Sequence, residues 1–137
     1  MSSLRKVIVR TRDGKVTAGF AREDTIKDEV GILTRQGKDE VFNIEDIKAI
    51  FFVKDFDGDP KHEEFKFFTK QPISEKIWVR VELVDGEILE GAVKNNVDLQ
   101  NLHGFYLWPS DKDANNEIAY IPRSFVRRLT ILSPFVP

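Results

Sequence analysis

The chain has 137 residues, of which 41% are apolar and 32% charged, and its formal net charge is −2 at pH 7. This composition is typical of a soluble globular protein, and the charge gives no global basic field for nucleic acid or an anionic membrane. No apolar run approaches the roughly 20 residues of a membrane span, and residues 1–6 do not resemble a signal peptide. The chain has no cysteine for disulfides or thiolate chemistry, which gives no information on its redox compartment, and the cytoplasm is our default expectation.

The first half of the chain contains short alternating apolar runs separated by turn residues. Val7, Val9 and Thr11 would lie on one face of a first strand, because side chains alternate along a strand. Asp13-Gly14 then predicts a two-residue type I′ hairpin turn, which requires positive φ at both positions. The pattern as a whole predicts about five short strands in this half. They cover residues 6–12, 15–20, 30–34, 41–44 and 49–53.

The apolar run at residues 50–53 predicts a buried strand, because it is aromatic and β-branched and too short for a helix. The carboxylates, glycine and proline that follow it are typical of a turn. The connecting segment at residues 57–75 carries three phenylalanines, and we expect it to pack across both halves. Asp59-Pro60 would also suit the start of a short helix in this segment.

The second half repeats the order of the first half. Residues 76–80 align with residues 6–10, Asp85-Gly86 with the first Asp-Gly pair, and Gly91 with Gly19. A glycine inside a strand pattern is typical of a bend or bulge. Because these matches follow one another in order, we predict an internal duplication. The predicted units are a first β-barrel repeat, a packed connecting segment and a second β-barrel repeat, at residues 1–56, 57–75 and 76–137.

The repeat resembles the Sm-like and SH3-like small β-barrels in its early Asp-Gly hairpin, its in-strand Gly19 and its closing residues 44–53. The predicted fold is therefore all-β, with two tandem small β-barrel repeats packed together. An Sm-like fold implies RNA binding and ring assembly. Sm-like proteins carry Ile-Arg-Gly at the turn that reads Ile44-Glu45-Asp46 here, so two carboxylates stand where a cation is expected.

A closer resemblance is carried by Phe-Phe-Val-Lys-Asp-Phe-Asp-Gly at residues 51–58, at the junction of the two repeats. This run is similar to that of a bacterial family of unknown function. Members of that family occur alone and attached to signalling domains. The resemblance covers nearly the whole chain and implies no activity.

The sequence lacks the residue patterns of catalytic and metal sites. The carboxylates of residues 55–59 do not match a calcium loop, because Pro60 stands where that loop requires glycine. His62 and His103, without cysteine, do not match the usual zinc ligand sets, and a site of histidine with carboxylates is left open. A nucleophile elbow and a glycine-rich phosphate loop are both missing. We therefore predict a non-enzymatic protein that needs no cofactor or metal.

One basic cluster, formed by Arg123, Arg127 and Arg128, is a candidate binding site. Its Arg-x-x-x-Arg spacing resembles the PilZ domain, which implies that arginine forks grip the phosphates of a cyclic dinucleotide. The same arginines would also suit RNA phosphates. A solvated turn and strand face is the alternative interpretation of this cluster.

Trp78, Tyr106 and Trp108 are candidates for an aromatic surface in the second half. Such rings stack on the bases of single-stranded nucleic acid, or they mark a protein-binding surface when exposed. Packing in the core is the alternative use of the same residues.

These observations favour a protein-interaction or adaptor module that acts in bacterial signalling. Its partner would be another protein, bound by an exposed strand edge or an aromatic patch. RNA or single-stranded nucleic-acid binding is the second hypothesis, and cyclic-dinucleotide binding is the third. A homo-oligomer is left open, because a tandem repeat can close a pseudo-dimer or fill two positions of a ring.

Overall fold

The computed structural model describes residues 4–22, 26–56, 76–94, 103–110 and 115–133. Within these residues the chain forms ten β-strands and two short 3-10 turns. The first half contains β1 (Arg5–Thr11), β2 (Val16–Ala21), β3 (Glu29–Thr34), β4 (Asp39–Asn43), a 3-10 turn (Ile44–Asp46) and β5 (Ile47–Val53). The second half contains β6 (Lys76–Leu83), β7 (Ile88–Lys94), β8 (Gly104–Pro109), β9 (Asn116–Pro122), a 3-10 turn (Arg123–Phe125) and β10 (Val126–Ser133).

The ten strands form one antiparallel sheet, and the prediction of an all-β fold is confirmed. The strand order is β10-β6-β7-β8-β9-β5-β1-β2-β3-β4, so that each half follows the order fifth, first, second, third, fourth. Two tandem closed barrels are not shown, because β9 pairs with β5 and carries the sheet from one half into the other. The described strands therefore make a single open sheet with edges at β4 and β10.

The Asp-Gly hairpins lie where the sequence predicts them, but their turn type differs from the prediction. Gly14 and Gly86 each have a φ of 92°, and no described residue other than glycine has positive φ. The N–H of Thr11 donates to the carbonyl of Lys15 over 2.9 Å, which leaves a three-residue loop. This is a type I turn closed by a left-handed glycine. The prediction of a type I′ turn is wrong because Asp13 does not take positive φ.

Strand register corrects the alignment of the two halves. Val7 lies opposite Gly19, and Val79 lies opposite Gly91, so Val79 rather than Ile77 corresponds to Val7. The predicted alignment is displaced by two residues and is wrong. A displacement of two residues leaves an alternating apolar pattern unchanged, which is why the sequence alone did not reveal it. Neither glycine interrupts its strand with a bulge.

The core consists of two apolar clusters, which lie on opposite faces of the sheet where the halves meet. On β5, Ile50 and Phe52 belong to the first cluster and Ala49 to the second. On β9, Tyr120 belongs to the first cluster and Ile121 to the second. Successive side chains of a strand point to opposite faces, so both central strands are buried on both sides. Each half therefore supplies part of the core of the other half.

Some predictions concern residues outside the described ranges. The short helix at Asp59-Pro60 and the packing of the connecting segment at 57–75 are two of them, and His62 is a third. Among the residues that the structure describes, no helix has the length and apolarity required to cross a membrane.

Candidate functional site

Two of the three candidate arginines have described contacts, and these are with different neighbours. Arg123 lies over the ring of Phe105 on β8, with 6.0 Å between its guanidinium carbon and the ring centroid. Arg127 donates through Nη2 to the carbonyl of Val84 over 2.7 Å, and its Nη1 lies 3.4 Å from Oε1 of Glu82. Arg128 is exposed on β10. The described contacts hold the side chains of Arg123 and Arg127 against different strands and do not show a shared pocket. A dinucleotide site formed by both arginines stays a prediction.

Trp78 and Trp108 lie on one face of the second half, each opposite Ala92 of the strand between them. The indole Nε1 of Trp78 donates to Oε1 of Glu90 over 2.9 Å. The side chain of Glu90 is only 3% exposed and also meets Arg80 at 3.3 Å. Both tryptophans are half-buried, so the aromatic residues combine packing with a limited exposed surface. Sequence reasoning missed Glu90, because nothing in a strand pattern distinguishes a buried carboxylate from an exposed one.

Tyr106 packs against the rings of Phe52 and Tyr120, at centroid distances of 6.3 and 5.0 Å. Burial raises the pKa of the Tyr120 phenol to about 12, against a smaller lowering by the nearby charge of Arg123. The contact of Tyr106 with Phe52 crosses from one half to the other. Tyr106 therefore serves the junction of the halves more than an exposed stacking surface.

A cleft of about 490 Å³ lies between the halves, lined by residues of β1, β5, β7, β8 and β9. Lys48 of β5 forms two ion pairs there, with Asp85 and Glu87 of the second half, each at 2.6 Å. Burial opposes the charge of Lys48, but the hydrogen bonds to both carboxylates outweigh it and raise the pKa of the amine. The hydrogen bond from Lys48 is the main cause that lowers the pKa of Asp85. The ion pairs of Lys48 therefore connect β5 of the first half to the turn before β7 of the second half.

No group of three potential metal ligands occurs among the described residues. Nδ1 of His103, the residue before β8, lies 3.0 Å from Oδ1 of Asp28, the residue before β3. Two groups do not make a complete ligand set for zinc.

The two edge strands, β4 and β10, expose apolar side chains. Within the described residues, β4 has a neighbour on one side only, β3, and β10 has only β6. Val41 on β4 is 62% exposed, and Ile131 and Leu132 on β10 are 54% and 36% exposed. Unpaired main-chain groups beside exposed apolar side chains are typical of a strand that accepts another strand.

The edge strands also carry opposite charges. Asp39 and Glu40 lie on β4, and Arg127 and Arg128 lie on β10. Sequence reasoning found the two arginines but not that the strand that carries them is an edge of the described sheet. The alternation of apolar residues predicts a strand, whereas the strand order decides which strand is an edge.

Over the residues that the structure describes, the fold is all-β and consists of one open antiparallel sheet of ten strands. The model of a family of unknown function (DUF6982) matches residues 3–133, and the chain belongs to this family. No curated protein and no solved structure matches the chain. Membership confirms the resemblance to a family of unknown function and supplies no activity.

Proposed function

We propose that this protein is a non-enzymatic interaction module that binds protein partners by adding a strand to an edge of its sheet. The observation that carries the proposal is the exposure of Val41 and Ile131 on the two edge strands. Natural proteins usually protect sheet edges with charges, proline, bulges or a covering element. Both edges carry charged residues, and the pairing of β10 with β6 is irregular at two points, yet each edge also exposes apolar side chains. This combination suits a particular partner strand, in the manner of domains that bind extended peptides by strand addition.

The side chains of β10 define what its edge would accept. Leu129 and Ile131 point to one face of the strand, and Arg128 and Thr130 point to the other. A bound strand would place an apolar residue opposite the first pair and an acidic residue beside Arg128. Main-chain hydrogen bonds would supply affinity, while these alternating side chains would supply specificity.

The repeated strand order of the two halves supports an origin by duplication of a five-stranded unit of the Sm-like or SH3-like kind. In the proposed module, the central pairing of β5 with β9 uses one edge of each unit and leaves the other two edges for partners. A cytoplasmic adaptor in bacterial signalling is the setting that we propose for it.

The test is selection of linear peptides from a displayed library, followed by binding measurements on the selected peptides. We expect extended sequences that combine β-branched and acidic residues. Alternate amides of an added strand point towards the sheet and away from it. N-methylation of the set that faces the sheet should abolish binding, and N-methylation of the other set should leave binding unchanged. Ile131→Arg or Val41→Arg should weaken binding about tenfold or more, which corresponds to about 1.4 kcal/mol.

Ile88→Arg is the matched control, because Ile88 is equally exposed, at 55%, but lies on the interior strand β7. Selected peptides that bind all three variants equally, or that tolerate N-methylation at every position, would show that the edges are not the binding site.

A further inference from the structure

The pairing of β5 with β9 is a joint between two units of the same strand order. Just after β4, the N–H of Ile44 donates to the carbonyl of Asp28, which precedes β3, over 2.8 Å. Just after β9, the N–H of Arg123 donates to the carbonyl of His103, which precedes β8, over 2.9 Å. These equivalent bonds identify β9 as the counterpart of β4. By the same correspondence β10, which follows the second 3-10 turn, is the counterpart of β5.

The joint therefore unites the fourth strand of one unit with the fifth strand of the other. It leaves a fourth strand, β4, at one end of the sheet and a fifth strand, β10, at the other end. These are the two strand types that already pair inside the chain. A second copy can supply the missing neighbour at either end.

The internal joint also fixes the register that such a contact would take. Ile50 lies opposite Tyr120, and Phe52 lies opposite Ile118. Transferred to the counterpart strands, this register places Leu129 opposite Val41 of the second copy. It likewise places Ile131 opposite Asp39 of the second copy.

We infer that β10 of one copy pairs antiparallel with β4 of a second copy, so that the chain assembles head to tail through its own edges. This inference rests on the proposed strand-addition function and names the partner as the same chain. In the joint, the exposed Val41 would pack on Leu129, much as Tyr120 packs on the first cluster. Arg128 would lie on the same face as Glu40 of the second copy and diagonal to it, where opposite charges attract. Glu40 also pairs with Lys15 of its own chain at 2.7 Å.

The contact is heterologous, because the two surfaces that meet are different. Repeating such a contact gives a closed ring when the rotation between copies closes, and an open chain of copies otherwise. Each added copy would extend the sheet by ten strands. A contact made by one strand pair buries little surface, so we expect weak association that depends on protein concentration.

The first experiment measures the mass of the protein in solution over a wide concentration series by sedimentation. We expect masses that rise from 15.8 kDa, the mass of one chain, to that of two or more chains. Val41→Lys should raise the dissociation constant about tenfold or more, because it sets a cation against the apolar side chain of Leu129. Ile88→Lys, an equally exposed change away from the edges, should leave the constant unchanged. A mass of one chain at every concentration would overturn the inference.

The second experiment tests the register, and the absence of cysteine in the chain makes it specific. Asp39→Cys and Ile131→Cys are made in separate proteins, mixed, and treated with a short bis-maleimide. We expect a crosslinked pair from this mixture and none from Ile88→Cys mixed with Ile131→Cys. Equal crosslinking in both mixtures would overturn the proposed register. If the protein stays monomeric but binds peptides at its edges, the inference fails while the proposed function stands.

Discussion

At the scale of single residues, Gly19 shows why some positions of the sheet exclude a side chain. A Cβ on Gly19 would lie 2.5 Å from the carbonyl oxygen of Leu33 and 2.7 Å from Cγ2 of Ile32. The main chain of β3 approaches β2 closely here, and that approach explains the glycine that the sequence suggested as a bend or bulge. A Cβ on Gly31, which lies on β3 itself, would meet nothing within 4 Å.

We therefore predict that Gly19→Ala lowers the free energy of unfolding by about 2 kcal/mol or more, because the neighbouring strand must shift. Gly31→Ala should change it by less than about 0.5 kcal/mol. Urea unfolding of both variants provides the measurement. Equal effects of the two substitutions would contradict the close approach of β3.

Tyr120 links a single residue to the stability of the protein at high pH. Its folded pKa of about 12 exceeds the pKa of about 10 of an unfolded tyrosine. Between these values the unfolded state gives up the proton first, so the stabilising contribution is complete below pH 10 and is lost as pH rises towards 12.

The wild-type protein should lose up to about 2 kcal/mol of its free energy of unfolding between pH 10 and 12 through Tyr120, since one pKa unit corresponds to 1.36 kcal/mol. We predict that Tyr120→Phe abolishes this part of the loss. The measurement is urea unfolding of the wild type and the variant from pH 8 to 12. The difference between their free energies of unfolding should be constant up to pH 10. Above pH 10 the wild type should lose stability faster than the variant. A difference that stays constant over the whole range would show that the phenol titrates normally.

At the scale of elements, the central strands show where sequence reasoning succeeds and where it ends. The aromatic and β-branched run at residues 50–53 correctly predicted a buried strand, and Phe52 is fully buried. The pairing of this strand with β9 was not predicted, because β5 and β9 are far apart in the sequence and no local pattern encodes their pairing. The candidate arginines were found as a cluster because they are close in the sequence. In the structure Arg123 contacts Phe105 and Arg127 contacts Val84, and sequence spacing does not predict these contacts.

Lys48 tests the contact between β5 and the turn that precedes β7. Lys48→Met removes both ion pairs and keeps most of the apolar stem, so we predict a loss of about 1 kcal/mol at neutral pH. Lys15→Met, which removes one pair with Glu40 at 2.7 Å in an exposed position, should cost less. Chemical unfolding of the two variants at pH 7 gives this comparison.

The same contact predicts a dependence on acid. The pKa of Asp85 is lowered from 3.8 in the folded protein by Lys48, so its contribution is present above pH 3.8 and is lost as pH falls through the lowered value. In Lys48→Met this part of the acid loss should shrink. An unchanged acid profile would show that the lysine does not stabilise the carboxylate.

At the scale of the whole molecule, the shared core argues that the two halves unfold together. Val30 lies in the first cluster and Leu83 in the second, and both are fully buried. We predict one cooperative transition, which Val30→Ala and Leu83→Ala both shift, by about 1 to 4 kcal/mol. Two transitions that respond separately to the two substitutions would instead support independent units at residues 1–56 and 76–137.

The overall architecture was only partly accessible from the sequence. Strand positions, the Asp-Gly turns and the all-β class follow from local patterns such as Asp13-Gly14 and residues 50–53. The joining of both halves into one sheet does not, because it depends on which strands become neighbours. For the same reason, Val41 and Ile131 gain a proposed function only after the strand order identifies β4 and β10 as edges.

The most direct test of the edge-pairing account is hydrogen–deuterium exchange of the wild-type protein at low and high concentration. We expect amides of β4 and β10 to exchange more slowly at high concentration, because their main-chain groups become paired between copies. Amides of β1 and β7, which are paired on both sides within the chain, should not change. Exchange at β4 and β10 that is independent of concentration, or protection that appears only elsewhere, would contradict it.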